Sequence, residues 1–569
     1  MNNLENVHFS SMPNISIPRS RIPLKQGVKG SCNFGTLVPV DAVPVYPGDD
    51  FAKIIAKGVI RMSQPIVPIM DDIECNMYAF FVPYRLLWSN FEDWYTTGHY
   101  NKKQGDPVQL TSNDPYDKVP NVSLFNGGVA TGSIANHFGK PLVTPDATKT
   151  AYGKVNVFKE RAYFRIWSDW FIPRQLVTAS PDTSSSGSII GQYVIGTSTT
   201  LVYPNSNLLP VCKSFDYFTA ATISPQYSSG AVAIPLGTTA PVIAGNSLHS
   251  MGTNYIKFNN ANSVSGSYPL YATMATTGTG PTYLKAGTTA TSGASTTYIT
   301  NSNLEADLSQ ASAATINALR QAFAVQKYCE RSNYGNRFFE AIVSHFGVTS
   351  PDARLQRSEY FGHAKFLVNV DQVVSTAGYS VGSSQLVGAP GAISITGFKH
   401  SLGSKGFVEP GVVVILMSTR QVHHTYSQGI MREDSKLTKF EWFSPEFANL
   451  GDQDVKMKEL FLAGSTTDET AFGYQEHWGE DRYRPARVCG LLDPNATGAL
   501  DYWTLADKYA SAPNLNANFI FENRDNIKRC LTTGTSGPDF IYDLEIDYVA
   551  DRPMPVYTIP GLIDHFGTR

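Results

Sequence analysis

Charge is scarce in this chain of 569 residues: Asp, Glu, Lys and Arg make up 16%, well below the usual quarter. The net charge of −3 excludes a general polycation, so any contact with nucleic acid has to come from a local patch. Cysteine is sparse and dispersed. Cys32, Cys75, Cys212, Cys329, Cys489 and Cys530 never lie within forty residues of one another, which excludes CxxC and zinc-ribbon spacing. Buried or free thiols in a reducing compartment are expected. Long hydrophobic runs are missing too. The longest, "GVVVILM" at Gly411–Met417, is far too short for a bilayer and predicts a buried strand. The first residues, "MNNLENVHFSSMPNISIPRSR", contain no apolar h-region, so no secretory signal and cytosolic synthesis are expected.

The signatures of catalysis are also lacking. Gly132 and Gly139-Lys140 have the wrong spacing for a phosphate-binding loop, and HExxH, GxSxG and EF-hand patterns do not occur. His423 and His424 are adjacent, and on a strand they point to opposite faces, which is poor geometry for one metal. "YQEHWGEDRYRP" gathers Glu476, His477, Glu480 and Asp481, and reads as a charged turn satisfied by Arg482 and Arg484 rather than a cation site. "SHFGVTSPDARLQRSEYFG" (Ser344–Gly362) holds Ser344, His345 and Asp352. Neighbouring helical side chains diverge by about 100°, however, so Ser344 and His345 do not face each other as nucleophile and base must. The acidic pairs Asp49-Asp50 and Asp71-Asp72 are adjacent in sequence rather than set across a cleft, as a glycosidase would need. No catalytic residue, metal or cofactor is expected.

What the chain has in quantity is apolar and aromatic surface. Apolar residues reach 42% and aromatics 12%, including 29 Tyr and 31 Phe, with 46 Gly and 34 Pro. Few charges, many rings and frequent turn-formers suit a β-rich protein with large buried contacts. Residues 1–36 are broken by Pro13, Pro18 and Pro23 and carry Arg19, Arg21, Lys25 and Lys29, which predicts an extended basic arm. Helices are expected over Arg85–Tyr95, Arg161–Phe171, Thr315–Arg331 and Phe338–Phe346, their apolar stripes packing into a core. Between Tyr217 and Leu304 only Lys257 and Lys285 are charged, amid Ser, Thr, Gly, Asn and spaced Tyr. This span is either a recognition surface on a rigid scaffold or a solvated insertion.

Several long blocks carry a resemblance. "TINALRQAFAVQKYCERSNYGNRFFEAIVSHFGVTSPDARLQRSEYFG", "HFSSMPNISIPRSR", "NFGTLVPVDAVPVYPGDDF" and "MDDIECNMYAFFVPYRLLWSNFEDW" resemble the gokushovirus branch of microvirus major capsid proteins. So do "RAYFRIWSDWF", "FDYFTAA", "FGYQEHW" and "RPMPVYTIPGLIDHF", in family order and across nearly the whole chain. The pattern departs between "FDYFTAATISPQ" and "DLSQASAATINALRQAF", where no family motif occurs and the usual Trp-Pro is missing.

The resemblance implies a mainly β fold, the eight-stranded viral jelly roll, with long inter-strand insertions and a few short helices in one domain spanning 1–569. It implies self-assembly into a T=1 icosahedral shell around a circular single-stranded DNA genome, with no enzymatic activity. Expected partners are further copies of the chain, the genome, phage scaffolding, DNA-pilot and small DNA-binding proteins, and a receptor on the host bacterium. The place is the virion, assembled in the bacterial cytoplasm without membrane insertion. An insertion at 237–304 would form a threefold protrusion, with Tyr255, Tyr268, Tyr271 and Tyr283 as host-recognition candidates. Arg19, Arg21, Lys25 and Lys29 are the DNA-facing candidates; neighbouring subunits' carboxylates are the alternative partners for these cations. Arg354 and Arg357, three residues apart, are expected to hold carboxylates or carbonyls at a subunit boundary or within a long insertion. The rival reading is a surface adhesin or glycan-binding jelly-roll protein.

Overall fold

The computed structural model describes residues 17–96, 119–225 and 356–556, with short gaps at 375, 377–387, 389, 449 and 535–536. It also describes short strands between 242 and 306 and two helices within 316–348. Eight strands make the scaffold: β1 (Ser20–Cys32), β2 (Leu37–Val45), β3 (Asp50–Met62), β4 (Ile73–Pro83), β5 (Glu359–Leu367), β6 (Thr396–Gly406), β7 (Gly411–Gln421) and β8 (Phe540–Arg552). They form two antiparallel four-stranded sheets, ordered β1-β8-β3-β6 and β5-β4-β7-β2. This order, in which each sheet mixes early and late strands, is the double Greek key of a jelly roll. The mainly β expectation holds.

Sequence pattern explains which sheet faces what. β8 reads "FIYDLEIDYVADR": Phe540, Tyr542, Leu544, Ile546, Tyr548 and Ala550 are buried, and the residues between them are open to varying degrees. One face of its sheet therefore packs on the core while the other stays open. β7 is buried at nearly every position, and its residues divide between two cores. Val413, Ile415 and Met417 pack between the sheets, whereas Val412, Val414 and Leu416 pack outward against a second cluster. The cover on that outer side is the helix α1 (Phe158–Trp170), whose Tyr163, Phe164, Ile166 and Trp167 are fully buried. A strand covered on both faces has to be apolar throughout, which is why "GVVVILM" does not alternate.

Proline marks the sheet edges. Pro23 lies in β1, and Pro39 and Pro44 in β2, each the outermost strand of its sheet, where a missing N–H breaks no ladder. Of the residues expected as an extended arm, 1–16 lie outside the described residues, while Ser20–Cys32 are extended but hydrogen-bonded, paired in register with β8. The helix expected over Arg85–Tyr95 is interrupted: a single turn at Tyr84–Leu86 and a short helix at Phe91–Thr96 flank Ser89, whose N–H donates to the Thr183 carbonyl. The other helices run Phe158–Trp170, Ile316–Asn333 and Phe338–Phe346. On the third of these four, Phe323 is exposed rather than part of a core stripe, since periodicity identifies an apolar face but not what covers it.

The chain divides into two compact units, one of Met1–Pro225, Asn336–Val343 and Gly347–Arg569, the other of Gln226–Gly335 and Ser344–Phe346. The expected protrusion at 237–304 belongs to the second. Its described strands pair in a nested series: Val242–Ala244 with Leu304–Ala306, Phe258–Asn260 with Ile299–Ser302, and Leu270–Ala272 with Leu284–Ala286. All six cysteines are free, with Cys32, Cys75, Cys329 and Cys530 buried.

Candidate nucleic-acid and subunit interface

The open face of the β1-β8-β3-β6 sheet carries charge in columns. Period-two alternation puts Arg21, Lys25 and Lys29 of β1 on this face, with Asp543, Glu545, Asp547 and Asp551 of β8 beside them and Lys53, Lys57 and Arg61 of β3 beyond. An acidic strand is flanked by two basic ones. Arg21 donates two hydrogen bonds to Asp551, both 2.8 Å, while Lys29 lies 3.5 Å from Asp543. Lys25 pairs in register with Asp547, whose carboxylate accepts a 2.8 Å hydrogen bond from Lys57; the same lysine reaches Glu545 at 3.3 Å. The Arg21 bond holds Asp551 below the usual carboxylate range, and Lys57 does the same for Asp547. These exposed pairs add little stability singly. Their effect is to order the face. Of the four DNA-facing candidates, Arg21 and Lys29 therefore have acidic partners within their own chain. The β3 cations went unnoticed in the sequence, although "DFAKIIAKGVIRM" spaces Lys53, Lys57 and Arg61 by four, which on a strand means one face.

A second polar assembly lies at the end of α1, where two of the motif blocks meet. Arg165 donates to the Gln356 carbonyl, and Asp169 accepts from both the N–H (2.8 Å) and hydroxyl (3.0 Å) of Ser358. The Arg357 guanidinium sits over the Trp170 ring, 4.8 Å from its centre, and Trp170 Nε1 donates to Ser358. Arg357 thus docks "RLQRSEYFG" onto "RAYFRIWSDWF". Arg354 and Asp352 lie outside the described residues, as do Tyr255, Tyr268 and Tyr283. Tyr271 is on a described strand, in register with Lys285. His345 stacks on Tyr328 at 4.4 Å, giving its ring a packing role.

The remaining polar clusters are structural in form. His423 and His424 lie in the bend after β7 rather than on a strand, His423 exposed and His424 buried. His424 bridges Asp507 and Glu522, at 3.2 Å each, and Lys213 reaches Asp507 at 3.1 Å. Burial alone would push the His424 pKa down. The Glu522 charge and hydrogen bonds to Asp507 and Glu522 outweigh it and raise it to about 9. In the turn at Tyr474–Pro485, Glu476 pairs with Arg482, Arg484 with Glu433, and Glu480 with Lys436 at 3.0 Å. Asp49 accepts the Tyr46 N–H and Asp71 the Leu505 N–H, so both serve the backbone. No group of side chains suited to a metal occurs among the described residues.

A family model for the phage capsid protein (F protein) matches residues 10–562. The chain belongs to that capsid family. Capsid protein VP1 of Bdellovibrio phage phiMH2K is 33% identical over 572 aligned residues, covering 98% of each chain. The VP1 capsid proteins of Chlamydia phage 1 and Spiroplasma virus 4 are each 32% identical, over 97% of both chains. The gokushovirus-like resemblance read from the motif blocks therefore holds along the full alignment. This capsid protein is a structural component of a virion, not an enzyme, and no described helix is long and apolar enough to cross a membrane.

Proposed function

We propose that copies of this chain close into a T=1 icosahedral shell around a circular single-stranded DNA genome, with the open charged sheet face turned inward. The observation that carries this reading is the jelly-roll strand order in a chain aligned end to end with phage capsid proteins. The basic columns of β1 and β3 are where phosphates would be met, in contacts that weaken with salt. Arg19, Arg21, Lys25 and Lys29 belong to this surface, and Arg21 and Lys29 exchange an intrachain carboxylate for a phosphate. The nested strands of 237–304, with Tyr255, Tyr268, Tyr271 and Tyr283, are assigned to host attachment, since uncharged tyrosine-rich loops suit recognition. Arg354 is assigned to a subunit boundary, beside the Arg357 anchor. Scaffolding, DNA-pilot and small DNA-binding proteins are the partners such a particle would take, and the bacterial cytoplasm is where it would assemble. Expression in a bacterium followed by electron microscopy and nuclease treatment tests this. Particles of one diameter protecting DNA support it; a soluble monomer that binds glycans would favour the adhesin reading.

A further inference from the structure

Residues 437–450 leave several large apolar side chains in the open. Leu437 is 89% exposed, Phe440 73%, Trp442 55%, Phe443 56% and Leu450 53%. Exposed rings occur elsewhere too, Phe215, Phe323 and Phe346 among them, but here three fall within four consecutive residues. At roughly 150–250 Å² for each aromatic ring, and more than half of every side chain open, the segment presents on the order of 500–600 Å² of apolar surface. That equals the largest patch of an ordinary monomer, about 300–600 Å², and is most of the roughly 800 Å² that each partner gives to a stable interface.

The segment is also held in one shape before anything binds it. Glu441 accepts the N–H groups of Leu437 (2.6 Å) and Thr438 (2.7 Å), fixing the first turn. Trp478 anchors the rest: it is buried, its indole N–H donates to the Phe447 carbonyl at 2.9 Å, and Phe443 packs edge-on against it. Lys436 lies between Trp478 and Trp442, 5.2 and 5.9 Å from the ring centres. Trp478 is, among the described residues, the one non-glycine with a left-handed backbone (φ 65°), a conformation that persists where surrounding contacts enforce it. A rigid aromatic patch loses little entropy on association, which is what interface anchors require.

We infer that Leu437–Leu450 is a contact surface for a second copy of this chain, with Phe440, Trp442 and Phe443 as its anchors. The occupant follows from the family: a capsid chain buries its surface chiefly against its own copies, and a shell needs several such contacts per subunit. The inference rests on the shell reading above and names one surface within it.

The test replaces Phe440→Ser, Trp442→Ser and Phe443→Ser together, and separately Phe440→Leu, Trp442→Phe and Phe443→Leu, reading association by sedimentation and shells by electron microscopy. The serine variant is expected to remain folded by thermal melting and to need at least about thirtyfold more protein to associate. The apolar variant should recover most of the loss. If the serine variant forms shells at wild-type concentrations, the surface is wrong while the shell reading stands. If wild type forms only small oligomers, the shell reading fails, and the surface stands or falls on whether the serine variant dissociates them. A serine variant that melts earlier yet associates normally shows that another segment of the same chain covers the patch, which overturns the inference. A wild type that stays monomeric overturns both.

Discussion

Gly362 of β5 lies directly against the Leu402 carbonyl of β6, so close that a Cβ on residue 362 would overlap the carbonyl oxygen. This is where the two sheets approach at one corner of the sandwich, and glycine is required by space rather than by φ. Gly362→Ala has no flexible side chain to displace, only backbone. We predict a loss of about 3 kcal/mol or more, seen as insoluble protein or a collapsed thermal transition.

Arg161 is almost completely buried in α1. It donates to the Leu87 carbonyl at 2.9 Å, the Ser184 carbonyl at 2.8 Å and Asp182 at 2.7 Å, and also to the Ser186 carbonyl. One planar fork thus satisfies loops from two parts of the chain. Arg161→Met removes the guanidinium from all four acceptors and leaves Asp182, which keeps only its Ser184 partners, without a counter-charge, and is expected to cost about 3–5 kcal/mol. Arg161→Lys should recover little, because an ammonium lacks the fork. Denaturant midpoints of the three proteins check this.

His424 gives stability a pH dependence. Its pKa is about 9 in the folded protein and about 6.5 unfolded, so its contribution is complete below pH 6.5 and is lost as pH rises through 9. Asp507 is held far below the usual carboxylate range, by Lys213 and His424 against the cost of burial, and stays ionised throughout this window. Thermal stability should therefore fall between pH 6.5 and 9.5, by at most about 3 kcal/mol. His424→Gln should flatten that slope; equal slopes in the two proteins would refute the assignment.

The basic columns predict a separation between folding and packaging. Replacing Arg19, Arg21, Lys25 and Lys29 with Gln should leave the melting temperature nearly unchanged, because exposed pairs add little. Protected DNA per particle should fall, and the remaining DNA should be released at lower salt. Unchanged packaging would remove these four cations from the genome contact.

Some of this was legible from local pattern. "GVVVILM" announced β7, and the spacing of Tyr163, Ile166 and Trp167 announced α1. The acidic column is visible in "YDLEIDYVAD" once the strand period is applied. Its partners are not, because pairing β8 with β1 and β3 spans most of the chain and leaves no local signature. Strand order came into view through resemblance, not periodicity. The break at Ser89 escaped notice for a related reason: its cause is a hydrogen bond to Thr183, distant in sequence. The rings at 437–450 carry no sequence mark of their exposure, since composition does not distinguish a core from a contact surface.

The place of β8 also bears on timing. Arg21 and Asp551 touch across 530 residues, and β8 is an interior strand of its sheet, with β1 on one side and β3 on the other. Until a ribosome has released the last of β8, β1 has no neighbour and that sheet has a vacant slot. Unfinished chains are therefore expected to lack the finished surface, which would keep them out of growing particles and make late release a checkpoint on subunit quality. Chains stalled at residue 539 should remain protease-sensitive along β1 and fail to co-sediment with shells; their incorporation would show that the sheet forms by another route.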